Sequence, residues 1–149
     1  MKIEEEIKQQ RFRSPFHKVG INLVFTASWM VNKQQDFFKK FGVTASQFNI
    51  LRILRGQYPN KISGAEIKSR MLDRNSDIPR MLDRLIKKNL ITKSQCPNDK
   101  RAADIVITEQ GLAILKEIDV DIDRIEAMQI NLSEEEAAQL SDLLDKCRG

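Results

Sequence analysis

From Pro15 to about Lys40, apolar residues recur at spacings of three and four: Phe16, Val19, Leu23, Ala27, Met30, Val31, Phe37 and Phe38, with Ile21, Val24, Phe25 and Trp29 beside them. That period predicts a helix, and the width of its apolar surface predicts cover from beyond its own domain. A second helix is expected in TASQFNILRILRGQ (44–57), where Thr44 and Gln47 form a capping box and Phe48, Leu51 and Leu54 share a face. Ser63 with Glu66 repeats the box before a short third helix, with Ile62 and Ile67 placed as a hydrophobic staple, and LDRN (72–75) interrupts it within two turns. The next helix is expected from Ser76 to about Lys88. Pro79 falls in its first turn, where a missing amide proton costs little, and Asn89 stands where a left-handed C-cap residue belongs. Its apolar residues Ile78, Leu82 and Leu85 face inward, which leaves Arg80, Arg84, Lys87 and Lys88 largely outward.

Two helices joined by a short turn make a helix-turn-helix pattern. LITKSQC (90–96) then has strand character, PNDKR is rich in turn residues, and AADIVIT (102–108) returns as a second strand, so a hairpin wing is added. EQGLAILKEIDVDIDRIEAMQ is a long helix with Leu112, Leu115, Ile118, Ile122 and Ile125 along one stripe and an acidic outer face. LSEEEAAQLSDLLDKC opens with a third box, Ser133 with Glu136, and a staple from Leu132 to Ala137. A winged-helix core of about 65 residues cannot bury both terminal stripes, and a two-fold dimer is the simplest closed way to cover them. The expected fold is mostly α with a small β-hairpin wing. It is a winged helix-turn-helix (about 44–108) plus N- and C-terminal dimerisation helices (about 10–40 and 109–149).

The length of 149 residues, with 41% hydrophobic and 31% charged residues, allows one domain with such an appended element. No stretch reaches the roughly 18 apolar residues of a membrane span. The longest candidate, INLVFTASWMV (21–31), carries Asn22, Thr26 and Ser28 and reads as a buried helix. The N-terminus has no apolar core of an export signal, and Cys96 and Cys147 lie far apart, so a reduced, cytoplasmic protein is expected with both cysteines as small apolar fillers. Charge is strongly polarised: residues 1–60 and 61–101 each carry a net +6, and residues 102–149 carry −8. The basic two thirds suit an anionic partner, of which nucleic acid is the commonest. Enzyme chemistry finds no support: the single histidine, His17, has no neighbouring Cys or acidic motif, there is no Gly-rich phosphate loop, and the carboxylates of DVDID (119–123) lack the glycine-turned loop of a calcium site. No cofactor or metal is expected.

The segments SDIPRMLDRLIKKNLI (76–91) and NDKRAADIVITEQG (98–111) resemble the recognition helix and wing of the bacterial MarR family of winged-helix transcriptional regulators, the second through its Asp-x-Arg tip and its Thr-Glu-x-Gly. The order of elements is similar from about residue 15 to the end. Asn89 stands where the family usually has Gly, and Asn tolerates the same backbone conformation. Pro79 is less usual there. The resemblance implies a homodimer that binds pseudo-palindromic double-stranded DNA and regulates transcription, commonly as a repressor. It also implies release of DNA when a small aromatic effector binds between the dimerisation and DNA-binding regions, near which Phe16, His17 and Trp29 are candidate contacts.

A recognition helix points the residues near its N-terminus at base edges in the major groove. Those residues are Asn75, Ser76, Asp77 and Arg80, with Arg84 and Lys88 better placed for phosphates. Arg80 is the candidate base reader, because a guanidinium can pair with guanine through two hydrogen bonds; contact with phosphate alone is the alternative. The wing tip would lie over the adjacent minor groove, where Arg101 meets concentrated negative potential and Asp99 fixes the loop. Lys100 and Lys93 would add attraction to phosphate. The competing reading is a winged-helix module for protein-protein assembly, which has no need of an arginine at the wing tip. Arg101→Ala is expected to weaken duplex binding by about 1–3 kcal/mol with little change in melting temperature, read by titration at fixed salt.

Overall fold

Hydrogen bonds made within a few residues of chain set where the helices begin. The computed structural model describes residues 1–95 and 103–149, and for 123–130 the backbone alone. The elements run α1 (Ile3–Glu6), α2 (Pro15–Lys39), α3 (Ala45–Gln57), β1 (Ile62–Ser63), α4 (Gly64–Arg70), α5 (Ile78–Lys87), β2 (Ile91–Gln95), β3 (Ala103–Ile107), α6 (Glu109–Ile130) and α7 (Glu134–Arg148). Ser14 caps α2 by accepting from the His17 amide at 3.1 Å. All three capping boxes form, at Thr44–Gln47, Ser63–Glu66 and Ser133–Glu136. In the second, the Ser63 amide and hydroxyl both donate to Glu66 and hold its carboxyl below the usual glutamate range.

Three antiparallel strands form one sheet in the order β1-β3-β2. Ile105 on the central strand pairs with Ile62 of β1 and Lys93 of β2, and Ile107 pairs with Ile91. Helices α3, α4 and α5 and the first half of α6 close over this sheet. Leu51, Ile67, Leu85, Ile105, Leu115 and Ile118 are almost wholly removed from water, and each contributes about 1.5–3 kcal/mol by burial.

Several expectations need correction. Strand β1 was not anticipated, because two residues are too few to show alternation. Helix α1 was missed as well; it lies against α2 through a Glu4–Lys18 ion pair of 2.5 Å, with Ile3 buried. Helix α5 starts at Ile78 rather than Ser76, because the Ser76 hydroxyl donates to Asp73 and Asp77 takes the cap position. The segment read as a buried helix is not buried within one chain. Only Phe37 and Phe38 of α2 are, whereas Val24 is 73% exposed. Helix α7 buries nothing, and the staple residues Leu132 and Ala137 are both exposed. Cys147 is exposed, so it fills no core gap; Cys96 lies outside the described residues. Among the described residues no helix is long and apolar enough to cross a membrane.

One junction orients α5 against α6. Asn89 follows the helix in the left-handed region at φ 57°; its amide donates to Ile86 O at 2.9 Å and the Leu90 amide to Leu85 O at 3.0 Å. These two bonds close a Schellman motif. The Thr108 hydroxyl then donates to Asn89 O at 2.7 Å and accepts from the Gly111 amide at 3.0 Å, while the Thr108 amide donates to Leu90 O. This brings Gly111 so close to the end of α5 that a Cβ there would strike Leu90 O and lie 2.6 Å from Ile107 Cγ1. Gly111→Ala is expected to lower stability by about 1–3 kcal/mol, seen as a lower urea midpoint with an unchanged slope.

Candidate nucleic-acid interface

The turn between α4 and α5 is built by its own side chains. Asp73 accepts from the Asn75 amide at 2.9 Å and from the Ser76 hydroxyl at 3.2 Å, and Asp77 accepts from the Arg80 amide at 3.3 Å. Ser76 and Asp77, both candidate base readers, are therefore engaged in shaping the turn and capping the helix. The Leu72 amide is held by Asn49 Oδ1 of α3 at 3.1 Å, which fixes the turn to the core.

Beyond the cap, α5 presents Arg80, Arg84 and Lys87 at offsets of four and three, all exposed on one face. The opposite face buries Ile78, Leu82 and Leu85. Among the described residues, neither Arg80 nor Arg84 forms an ion pair, so both guanidinium groups face water. Asn75 and Arg74 are exposed in the preceding turn. Lys88 behaves differently: its ammonium donates to Gly42 O and ties the end of α5 to the α2–α3 connection. Lys93 is exposed on β2, and Lys61 lies beside it through a 3.3 Å bond from Nζ to Ser94 Oγ. Asp99, Lys100 and Arg101 lie outside the described residues.

A cavity of about 350 Å³ opens between α2, α3, α6 and the α4–α5 turn, within the range of small-molecule sites. Its floor is aromatic: the Phe38 and Phe48 rings are 4.6 Å apart, and Phe37 lies 5.0 Å from Phe38. Polar groups at its wall include Asn49, Arg52 and Asp73, and the Arg52 guanidinium lies 5.7 Å from the Phe48 ring. The sequence-selected contacts lie elsewhere and apart. His17 borders an apolar hollow beside α1, with Nδ1 accepting from the Arg13 amide, and Trp29 borders another, smaller one under Lys33. Phe16 is 87% exposed and borders neither hollow.

The MarR family model matches residues 43–103, from the connection before α3 to the first residue of β3. The multiple antibiotic resistance protein MarR of Escherichia coli is 32% identical over 124 residues, covering 78% of this chain and 85% of that protein. The chain belongs to the MarR family. The transcriptional repressor MdtR of Bacillus subtilis is 33% identical, over 74% of this chain and 71% of that protein. A cysteine-to-serine mutant of E. coli MarR, solved with operator DNA, superposes with a TM-score of 0.75 at 25% identity and 99% coverage of both chains. As a MarR-family member the chain is a winged-helix, DNA-binding transcriptional regulator.

Within this MarR-family chain, sequence reasoning missed the cavity because Phe37, Phe38 and Phe48 read as ordinary core positions. Only their meeting with the α4–α5 turn, distant in sequence, closes the cavity. It also missed Lys61, whose place beside the wing depends on strand β1. Since Asp77 acts as a cap, Asp77→Asn should keep the stability of the protein while Asp77→Ala loses about 1 kcal/mol, measured by chemical denaturation.

Proposed function

We propose that the chain works as a homodimeric, ligand-responsive repressor in the cytoplasm, with one α5 of each protomer in the major groove. The observation that carries this reading is the capped α5 itself, whose exposed face holds Arg80 and Arg84 without intramolecular ion partners among the described residues. Arg80, in the first turn, reads a base edge together with Asn75; Arg84, Lys87 and Lys93 contact phosphate. Lys88 has a lesser part in binding, because its ammonium already serves Gly42. Arg101, with Asp99 and Lys100 in the wing, enters the minor groove.

Dimerisation is supported by what one chain leaves uncovered. Phe16 and Val24 of α2 and Leu143 of α7 are 87%, 73% and 60% exposed, and apolar side chains repeated along two helices mark a contact surface. The E. coli relative was solved with operator DNA, and a relative from Bordetella bronchiseptica, BpsR, has its DNA binding regulated by 6-hydroxynicotinic acid. For this chain, the aromatic-floored cavity beside the α4–α5 turn is the place for a small aromatic effector, in preference to the hollows near His17 and Trp29.

A duplex from the region upstream of its own gene, titrated at several salt concentrations, tests the reading. Arg80→Ala should lose about 1–3 kcal/mol on the preferred duplex and relax its sequence preference. Arg84→Ala should weaken all duplexes alike and reduce the salt slope by about one. Binding to duplex no tighter than to heparin, or a monomer in solution at micromolar concentration, would overturn the proposal.

A further inference from the structure

The cavity and the turn that leads into α5 share two residues. Asn49 and Asp73 both line the cavity, and both hold the turn: Asn49 Oδ1 accepts from the Leu72 amide, and Asp73 accepts from the Asn75 amide and the Ser76 hydroxyl. Each therefore has a polar group that an occupant can reach and a bond on which the turn depends. We propose that Asn49 and Asp73 form a relay through which the contents of the cavity set the shape of the α4–α5 turn, and with it the placement of Asn75 and Arg80 on DNA. The relay rests on the reading of this cavity as the effector site.

The direction follows from the chemistry. The bonds of Asn49 and Asp73 hold the turn in its capped form, continuous with the Asp77 cap of α5. An occupant with a hydrogen-bonding edge competes for the Asn49 carboxamide. One that carries an anionic group is drawn toward Arg52 and repels the Asp73 carboxylate at the same wall. Both effects loosen Leu72, Asn75 and Ser76, the segment immediately before the recognition helix. The aromatic floor supplies the affinity, and the two polar residues supply the differential interaction that any ligand-driven change requires. Lys88 and Thr108 anchor the far end of α5, so the turn end is the one free to respond.

Filling the cavity by substitution tests the relay without knowing the effector. Ser46, half-buried in the first turn of α3, lines the cavity, so Ser46→Trp places an indole there. Hydrogen exchange at the Leu72, Asn75 and Ser76 amides should quicken by about tenfold while Leu51 and Leu85 stay protected, and duplex affinity should fall by a similar factor. In an Asn49→Ala/Asp73→Ala background the Leu72 and Asn75 amides should already exchange quickly, and adding Ser46→Trp should lower affinity no further. Unchanged exchange at all three amides, or the full fall in affinity without both Asn49 and Asp73, overturns the relay. If Ser46→Trp fails to fold, Ser46→Gln brings a hydrogen-bonding edge into the cavity on a smaller side chain and gives the same readings. If the unaltered protein binds no duplex, the DNA reading fails, yet the exchange pattern alone still decides the relay.

Discussion

The hydroxyl of Thr108 holds two helices at once. It donates to Asn89 O, the carbonyl just past α5, and accepts from the Gly111 amide in the first turn of α6. Because the Schellman motif at Asn89 and Leu90 closes the end of α5, and Gly111 brings α6 against Leu90, no slack remains between the two elements. The first half of α6 is locked further by Leu115 and Ile118 in the core and by a two-bond ion pair from Arg55 of α3 to Asp119. That exposed pair adds little stability. The attachment continues past Asp119 to Ile122, which packs against the core and lines the cavity. Beyond it the helix runs on toward the exposed α7.

Polar residues near α5 divide into those that make its shape and those left for contact. Asp73, Ser76, Asp77 and Lys88 all have partners inside the protein. Arg80 and Arg84 have no such ion partner among the described residues. The division is economical: short side chains with oxygen acceptors satisfy backbone amides nearby, and long guanidinium chains reach outward. A turn shaped by its own side chains also needs little from DNA to hold the reading residues in place, which limits the ordering cost of binding.

How much of this was legible in the sequence depended on the range of the interaction concerned. Capping boxes, the Pro79 first turn and the left-handed Asn89 act over three or four residues, and each was found where the pattern put it. The start of α5 was misplaced by two residues because Ser76 and Asp77 are both good caps, and only Asp73, three positions earlier, decides between them by taking the Ser76 hydroxyl. Interactions across long stretches of chain left no local trace. The pairing of Ile62 with Ile105, the Lys88 bond to Gly42, and the meeting of Phe37, Phe38 and Phe48 with Asp73 all depend on tertiary placement. The resemblance of the wing segment 98–111 to the MarR family was informative about function, and its tip residues Asp99, Lys100 and Arg101 lie outside the described residues.

The unequal distribution of charge acquires a spatial meaning once the elements are in place. Helix α5 and strand β2 carry exposed cations of the middle third, whereas α7 opens with Glu134, Glu135 and Glu136 and holds further acids along its length. An acidic terminal helix lying on DNA would meet like charge from the phosphates, so electrostatics favours the orientation in which α7 points away and the basic elements point toward the duplex. In that orientation the apolar residues left open on α2 and α7 are free to meet a second copy without competing with DNA for the same surface. Assembly and DNA binding then reinforce each other. A dimer presents two copies of α5 to one duplex, and a duplex engaged by one copy raises the effective concentration at which the second copy docks.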